Sequence, residues 1–488
     1  MCGIIGYKGY RNSNLVSLEA LKSLEYRGYD SWGIANKTEN TINVFKQTGK
    51  IGEIKEIPLP ESDIAIGHTR WATHGAVTKE NSHPHLSAGD SIAVVHNGII
   101  ENFQELREFL SKKGISFKSQ TDTEVIPNLI EDFIVQGEDF REAFRQALLK
   151  LEGSFAVVAM HKDYDFLLFA RKDSPLVIGI GKDENFIASD IPAFLNYTNK
   201  VIYLENNEYG VLDEEVKVFT IDKNMPVTRK ETEINWTVEQ AKKGNFPHFM
   251  LKEITDQKLT VKKAVEQDSE LIKKAIKMMK DAVGIFFVGC GTSYHACVSA
   301  AYVFSHVAKI HVNVVLASEF RNYEEFLTGS TLVVALSQSG ETADLLDAIK
   351  AAKQHGCRTV SVVNVMGSTL TRLCDVNIMM NAGPEICVLS TKSYTSQLTI
   401  LMLLAYSVAG RQEEAKGLIK KVCASVDKII DVNLDKLKGL AERIKASHDF
   451  LFMISSRRWT ALAERALKES MQHGPFVSPI YEQYFIKK

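Results

Sequence analysis

The chain has 488 residues, is 45% hydrophobic and 24% charged, and carries a formal net charge of −2. That length exceeds what one hydrophobic core usually supports, so two or three domains are expected, with the composition of an ordinary soluble globular protein. The near-neutral balance argues against a strongly basic nucleic-acid surface, leaving room only for local anion pockets.

The N-terminus has no basic stretch leading into a long apolar run, so no secretory signal is expected. Up to residue 221 the chain shows short β-rich runs, among them CGIIGY, IAIGHTRWATHG, SIAVVHNGI, SFAVVAM, FLLFARKD and KVIYLE. Helical patterns intervene near 13–25, 102–114, 122–136 and 139–151. This mixture predicts a layered α+β domain. Residues 222–257 are polar, hold Pro226 and Pro247 and lack clear periodicity, which suggests a linker. From 258 to 425 apolar strands (IFFVG, VNVVLAS, TLVVALS, TVSVVNV) alternate with helical segments, the pattern of a parallel α/β doubly wound sheet covered on both faces. The longest apolar stretch, LTILMLLAYSVAG at 398–410, is shorter than the ~18–20 residues of a membrane span and reads as a buried helix. Residues 426–488 supply one further strand, FLFMIS, and one helix, TALAERALKESM. Seven scattered cysteines, an odd number without a CxxC pair, suit a reducing compartment, and cytoplasm is the expected location.

The chemistry of the first half begins at Cys2, directly after the initiator Met. Removal of Met1 would leave one residue with both a thiol and a free α-amine, the amine able to take the thiol proton at neutral pH. Asp30 lies in LEYRGYDSWG, Arg70, Trp71, Thr73 and His74 in HTRWATHG, Asn97 and Gly98 in VVHNGIIEN, and Asp122 in SQTDTEV. A Cys nucleophile attacking an amide needs fixed donors for the oxyanion, and Asn97–Gly98 offers a side-chain amide beside a glycine N–H. An amino-acid substrate needs an Arg for its carboxylate and a carboxylate for its ammonium, roles open to Arg70 and Asp122. HNG is also a good turn sequence, and most Arg and Asp are surface residues; the joint occurrence with Cys2 favours a site. The stretch His68, His74, His83, His85 and His96 lacks the spacing of a metal motif, so capping, turn and substrate roles are expected and no metal.

These motifs, in this order, resemble the glutaminase domain of the N-terminal-nucleophile amidotransferases. The resemblance implies a layered α/β/β/α domain over 1–221. Cys2 would attack the glutamine side-chain amide to give a glutamyl thioester and ammonia, its amine acting as base. Asn97 and Gly98 would form the oxyanion site, and Arg70, Trp71, Thr73, His74 and Asp122 the glutamine grip.

In the second half, GCGTS (289–293, with Gly291, Thr292 and Ser293) follows the IFFV strand and opens a helix. SQSGET (Ser337, Gln338, Ser339, Thr342) does the same after TLVVAL, and VLSTKSYTSQL adds Val388, Ser390, Thr391 and Lys392 before another helix. Backbone N–H groups at such strand-to-helix turns favour phosphate, and ligands of open sheets sit beyond the carboxyl ends of the strands. Each turn alone could be a plain N-cap. Together they resemble the sugar isomerase (SIS) domain, which implies that Gly291, Thr292, Ser293, Ser337, Gln338, Ser339, Thr342, Val388 and Ser390 hold a phosphosugar.

A glutaminase joined to a SIS domain is similar to the glutamine–fructose-6-phosphate aminotransferases, which make glucosamine 6-phosphate. That resemblance implies glutamine and fructose 6-phosphate as partners, ammonia passing to the sugar carbonyl through an internal channel, a homodimer, and neither nucleic acid nor membrane. No organic cofactor is expected, since neither a Walker loop nor a GxGxxG turn is present. Family members carry two SIS domains and a tail with a Schiff-base Lys, whereas this chain stops at Lys488, so 426–488 reads as an incomplete second SIS domain. HGP at His473 matches the ring-opening motif and Lys468 an active-site position; the proton-shuttling Glu is not aligned and the tail Lys has no counterpart. The shortening leaves three readings: a truncated sequence, a natural short paralogue, or a chain completed by another subunit. It also sets two alternatives beside an aminotransferase whose synthase step is weakened: a glutamine amidohydrolase, or a phosphosugar-sensing regulator. Amidophosphoribosyltransferases share the glutaminase but need a VVDDS-like loop, and asparagine synthetase needs SGGxDS; neither run is present.

Overall fold

The computed structural model describes residues 2–72, 75–241, 243–387 and 389–444. It divides into two compact units at Ala241/Lys242.

The first unit is a pair of β-sheets with helices on its outer faces. One sheet has eight strands, and the Gly3–Gly9 strand pairs antiparallel within it with Ile64–Arg70 on one side and Glu184–Ala188 on the other. The second sheet has seven, with Ile92–Ile100 against Gly153–His161. Period-two alternation builds the layers. Along Gly3–Gly9, Ile4 enters the core shared with Ala93, Val95, Ala156, Val158 and Phe169 of the other sheet, while Ile5 and Tyr7 face the Ser13–Leu24 helix. Ile92 and Val94 turn the other way, against the Val125–Val135 and Phe140–Lys150 helices. The order helix, sheet, sheet, helix is the α/β/β/α sandwich expected from the resemblance. The four helices match the spans read from periodicity to within a few residues at each end.

The second unit holds a five-stranded sheet in the order Asn313–Leu316, Gly284–Gly289, Thr331–Ser337, Arg358–Val363, Val376–Met379, every pairing parallel. Its strands are buried on both faces, which is why they read as unbroken apolar runs. In Thr331–Ser337, Leu332, Val334 and Leu336 pack toward the helix layer that includes Lys392–Val408, and Val333 and Ala335 toward Ala343–Gln354. The stretch expected as a linker contributes structure at both its ends. Pro226–Val227 and Glu231–Glu233 extend the two sheets of the first unit, and Phe249–Lys263 is a helix of the second. Those strands are two and three residues long, too short to leave a period in the sequence. A single helix, Gln412–Ile444, runs through the expected boundary at 425/426, and the FLFMIS and TALAERALKESM segments lie outside the described residues. Among the described residues no helix is long and apolar enough to cross a membrane; the 398–410 stretch lies mostly in the buried Lys392–Val408 helix.

Candidate active site

Cys2 opens the Gly3–Gly9 strand at the point where its neighbour, Ile64–Arg70, leaves the sheet, since Gly3 lies opposite Thr69. The next residue along that neighbour meets the thiol: the Trp71 backbone N–H donates to Cys2 Sγ at 3.2 Å. The Cys2 carbonyl is held by two donors, Arg27 Nε at 3.0 Å and Asn97 Nδ2 at 2.9 Å. Arg27 is itself fixed by Asp190, its Nη1 3.0 Å from Oδ2. Burial pushes the Cys2 thiol up; the Trp71 N–H and the positive charges of the N-terminus, Arg27 and Arg70 pull the other way. The resting thiol is therefore protonated, and attack requires a base.

Asn97 comes from the other sheet, near the end of Ile92–Ile100, opposite Ala156. HNG is thus part of a strand rather than a turn. Gly98 has φ +131°, and a Cβ placed there would lie 2.0 Å from the Ser154 carbonyl oxygen, so no L side chain fits. Asn97 Nδ2 faces a carbonyl, which leaves Oδ1 toward His68 Nε2 at 3.0 Å.

The Arg70 side chain is buried and donates to the carbonyls of Ala76 and Gly75 at 3.2 and 3.4 Å. The charges of Cys2, Asp30 and Asp122 act on it, against burial. Asp30 accepts from Ala72 N–H at 2.8 Å and so shapes the loop after Arg70. Asp122 Oδ2 accepts from the Ile100 N–H at 2.8 Å. Trp71 is 38% exposed and packs edge-on against Tyr29, centroids 5.1 Å apart. Cys2, Trp71, Asn97, Arg70 and Asp122 thus gather at one end of the sandwich; Thr73 and His74 lie outside the described residues. Arg27 is the residue sequence reasoning missed, although it sits in the LEYRGYDSWG motif three places from Asp30.

The histidines require a correction. His68, His83, His85 and His96 are all buried; none is the N-cap of a helix, and His83 alone of the four lies in a bend, before a cis bond to Pro84. His68 and His83 stack with centroids 4.0 Å apart, and Thr123 Oγ1 bridges His83 Nε2 and His96 Nδ1 at 2.9 Å each. Burial lowers all four, His68 to about 3, so the cluster is neutral at physiological pH.

In the second unit the GCGTS and SQSGET turns follow adjacent parallel strands, with Gly289 opposite Leu336. They occupy the carboxyl ends of the two strands between which the winding reverses, the usual ligand position of such sheets. Ser337 Oγ accepts from Gly340 N–H at 2.9 Å and lies 3.3 Å from Thr342 Oγ1; Ser339 Oγ accepts from Glu341 N–H at 3.1 Å. Gly340 has φ +68°, and a Cβ there would fall 2.1 Å from Ser368 Oγ. Thr292 lies in the first turn of the helix that begins at Gly291 and Gln338 in the turn after Thr331–Ser337, both partly exposed. The helices beginning at Gly291, Ala343 and Lys392 receive no side-chain hydrogen bond from their N-cap residues Cys290, Thr342 and Thr391.

The third turn is tied to the first by Gln397, whose Nε2 donates to Ser293 Oγ at 2.9 Å. Two buried carboxylates hold the turn in place. Glu253 Oε1 accepts from Ile386 and Cys387 N–H at 2.6 and 3.1 Å, and Glu385 Oε1 from Thr391 and Ser393 N–H at 2.9 and 3.1 Å. Gln397, Glu253 and Glu385 were not singled out from sequence; Gln397 lies two helical turns beyond Ser390, so only the register of a helix could have pointed to it. Val388, Lys468 and His473 lie outside the described residues.

The fold and the two sites define a class: an N-terminal-nucleophile type amidotransferase unit followed by a phosphosugar-isomerase type unit. Comparison agrees. Residues 68–196 match the glutamine amidotransferase domain family and 278–407 the SIS domain family. A glutamine–fructose-6-phosphate aminotransferase (isomerising) of Thermococcus kodakarensis is 48% identical over 415 residues, 84% of this chain and 69% of that protein. One from Pyrococcus horikoshii is 44% identical over 479 residues, 96% of this chain and 80% of that one. The chain belongs to the glutamine–fructose-6-phosphate aminotransferase family of enzymes.

Proposed function

We propose that the chain converts glutamine and fructose 6-phosphate to glutamate and glucosamine 6-phosphate, with Cys2 as the nucleophile that releases ammonia. The observation that carries this reading is the hydrogen-bond count at Asn97. One Nδ2 hydrogen is spent on the Cys2 carbonyl at 2.9 Å. The amide nitrogen has two, and the second remains for an oxyanion beside the thiol.

After removal of Met1, the Cys2 α-amine takes the thiol proton and Sγ attacks the glutamine side-chain carbonyl carbon. The negative charge that develops on oxygen is met by Asn97 Nδ2 and the Gly98 N–H. The C–N bond breaks, the proton passes to the leaving nitrogen, and ammonia departs. Water then cleaves the thioester to glutamate and regenerates the thiol. Arg70 pairs with the substrate carboxylate and Asp122 with its ammonium through Oδ1, which makes no hydrogen bond among the described residues. Thr73, His74 and Trp71 complete the grip.

In the second unit, Gly291, Thr292, Ser293, Ser337, Gln338, Ser339, Thr342, Val388 and Ser390 hold the sugar phosphate, the Ser and Thr residues through hydroxyls, Gln338 through its amide, and Gly291 and Val388 through the backbone. His473 opens the sugar ring and Lys468 lies at the isomerisation site. Ammonia condenses with the C2 carbonyl, losing water, and proton movement from C1 to C2 gives the amino aldose. A homodimer in the cytoplasm completes the proposal.

The test follows both products with glutamine and fructose 6-phosphate supplied together and singly. The reading requires glutamate and glucosamine phosphate from the parent, and no glutamate from Cys2→Ala although it still binds the phosphosugar. Glutamate release by Cys2→Ala at the parent rate would overturn the assignment of the nucleophile.

A further inference from the structure

The buried histidines are not used by the reaction as derived, yet one of them touches its machinery. His68 Nε2 lies 3.0 Å from Asn97 Oδ1 and 3.1 Å from the His96 carbonyl oxygen. Both neighbours only accept, so Nε2 carries the hydrogen and donates to both. That leaves Nδ1 as the unprotonated nitrogen, buried and without a hydrogen-bond partner among the described residues. The ring cannot turn over freely, since it is wholly buried and stacked on His83.

The Asn97 amide has two ways to stand. With Nδ2 toward Cys2 it donates to that carbonyl and keeps one hydrogen for the substrate. Flipped, Oδ1 would confront the Cys2 carbonyl oxygen, and the face meant for an oxyanion would present a lone pair. His68 reinforces the first orientation from the other side of the amide, because its N–H can meet Oδ1 but not an NH2 group.

We propose that His68 is a positioning residue for glutamine hydrolysis: its Nε2–H locks the Asn97 amide in the orientation that offers Nδ2 to the oxyanion. This rests on the reading of Asn97 as oxyanion donor, so both residues are varied together.

Glutamate release by the full chain is measured for His68→Phe, His68→Gln, Asn97→Ala and the double variant His68→Phe/Asn97→Ala. Phe keeps the stack on His83 and removes the donor; Gln restores an N–H near the same place. Loss of an oxyanion donor lowers kcat about 10²- to 10³-fold, which sets the expectation for Asn97→Ala. His68→Phe should lower kcat by about 10- to 100-fold with KM for glutamine changed less than about 3-fold, and His68→Gln should recover most of it. In the double variant the His68 effect should vanish, leaving kcat within about 2-fold of Asn97→Ala alone. Should His68→Phe fail to fold, His68→Met makes the same comparison. A normal kcat in His68→Phe beside an impaired Asn97→Ala would overturn the positioning role and leave the oxyanion reading standing. A normal kcat in Asn97→Ala would overturn the oxyanion reading itself. Multiplying losses in the double variant would show His68 acting by another route and would also overturn the proposal.

Discussion

Gly98 illustrates at the scale of a residue how backbone geometry and chemistry share one position. Its φ of +131° is open to glycine, and a methyl group would meet the Ser154 carbonyl oxygen at 2.0 Å. Strained backbone costs on the order of 1–3 kcal/mol and the clash adds to it, so Gly98→Ala should destabilise the first unit by about 2–4 kcal/mol. Urea unfolding checks the stability, and glutamate release should fall with it. In contrast, Cys2→Ala should leave unfolding within about 0.5 kcal/mol of the parent, because a partly exposed small side chain contributes little packing.

At the scale of an element, the Phe249–Lys263 helix places Glu253 under the turn that precedes Lys392–Val408. Burial, reinforced by the Glu385 charge, raises its carboxyl to about 7. The unfolded value is about 4.3, so the folded state binds the proton more tightly. The associated stability is fully present below pH ~4.3 and is lost as pH rises through about 7. Oε1 makes both backbone hydrogen bonds, and the Cys387 thiol lies against the same carboxyl group. Glu253→Gln keeps the useful oxygen and removes the charge. It should therefore raise the stability of the second unit at pH 8, by up to about 3 kcal/mol, and have little effect near pH 4.5. Thermal unfolding at the two pH values decides; equal effects at both would refute the titration argument. Gln397 on the Lys392–Val408 helix acts on its neighbour element: Gln397→Leu leaves Ser293 without its 2.9 Å donor. KM for fructose 6-phosphate should rise several-fold, to about tenfold for one hydrogen bond of about 1 kcal/mol, with glutamate release unchanged.

For the whole molecule, the two units should respond to acid in opposite senses. His68, His83, His85 and His96 are depressed by burial. Their stabilising neutrality is present above the unfolded value of about 6.5 and is lost as pH falls toward the folded values. Each histidine contributes up to about 1.4 kcal/mol per pH unit below that point, so the first unit should weaken steeply on acidification while Glu253 favours the second. Calorimetry between pH 5 and 8 should resolve two transitions whose order changes with pH; parallel shifts would contradict the assignment. Much of this molecule was legible from residues alone. The CGIIGY, HTRWATHG and HNG motifs, the helical spans of the first unit and the parallel strands of the second follow from local pattern and short-range spacing. Local pattern could not reveal that Arg27 and Asn97, from distant parts of the chain, share the Cys2 carbonyl. Nor could it reveal that Gln397 reaches Ser293, or that the histidines form one neutral cluster. Those facts depend on which strands pair and which faces meet, because a hydrogen bond is decided by the last ångström of packing and a pKa by the water that packing excludes.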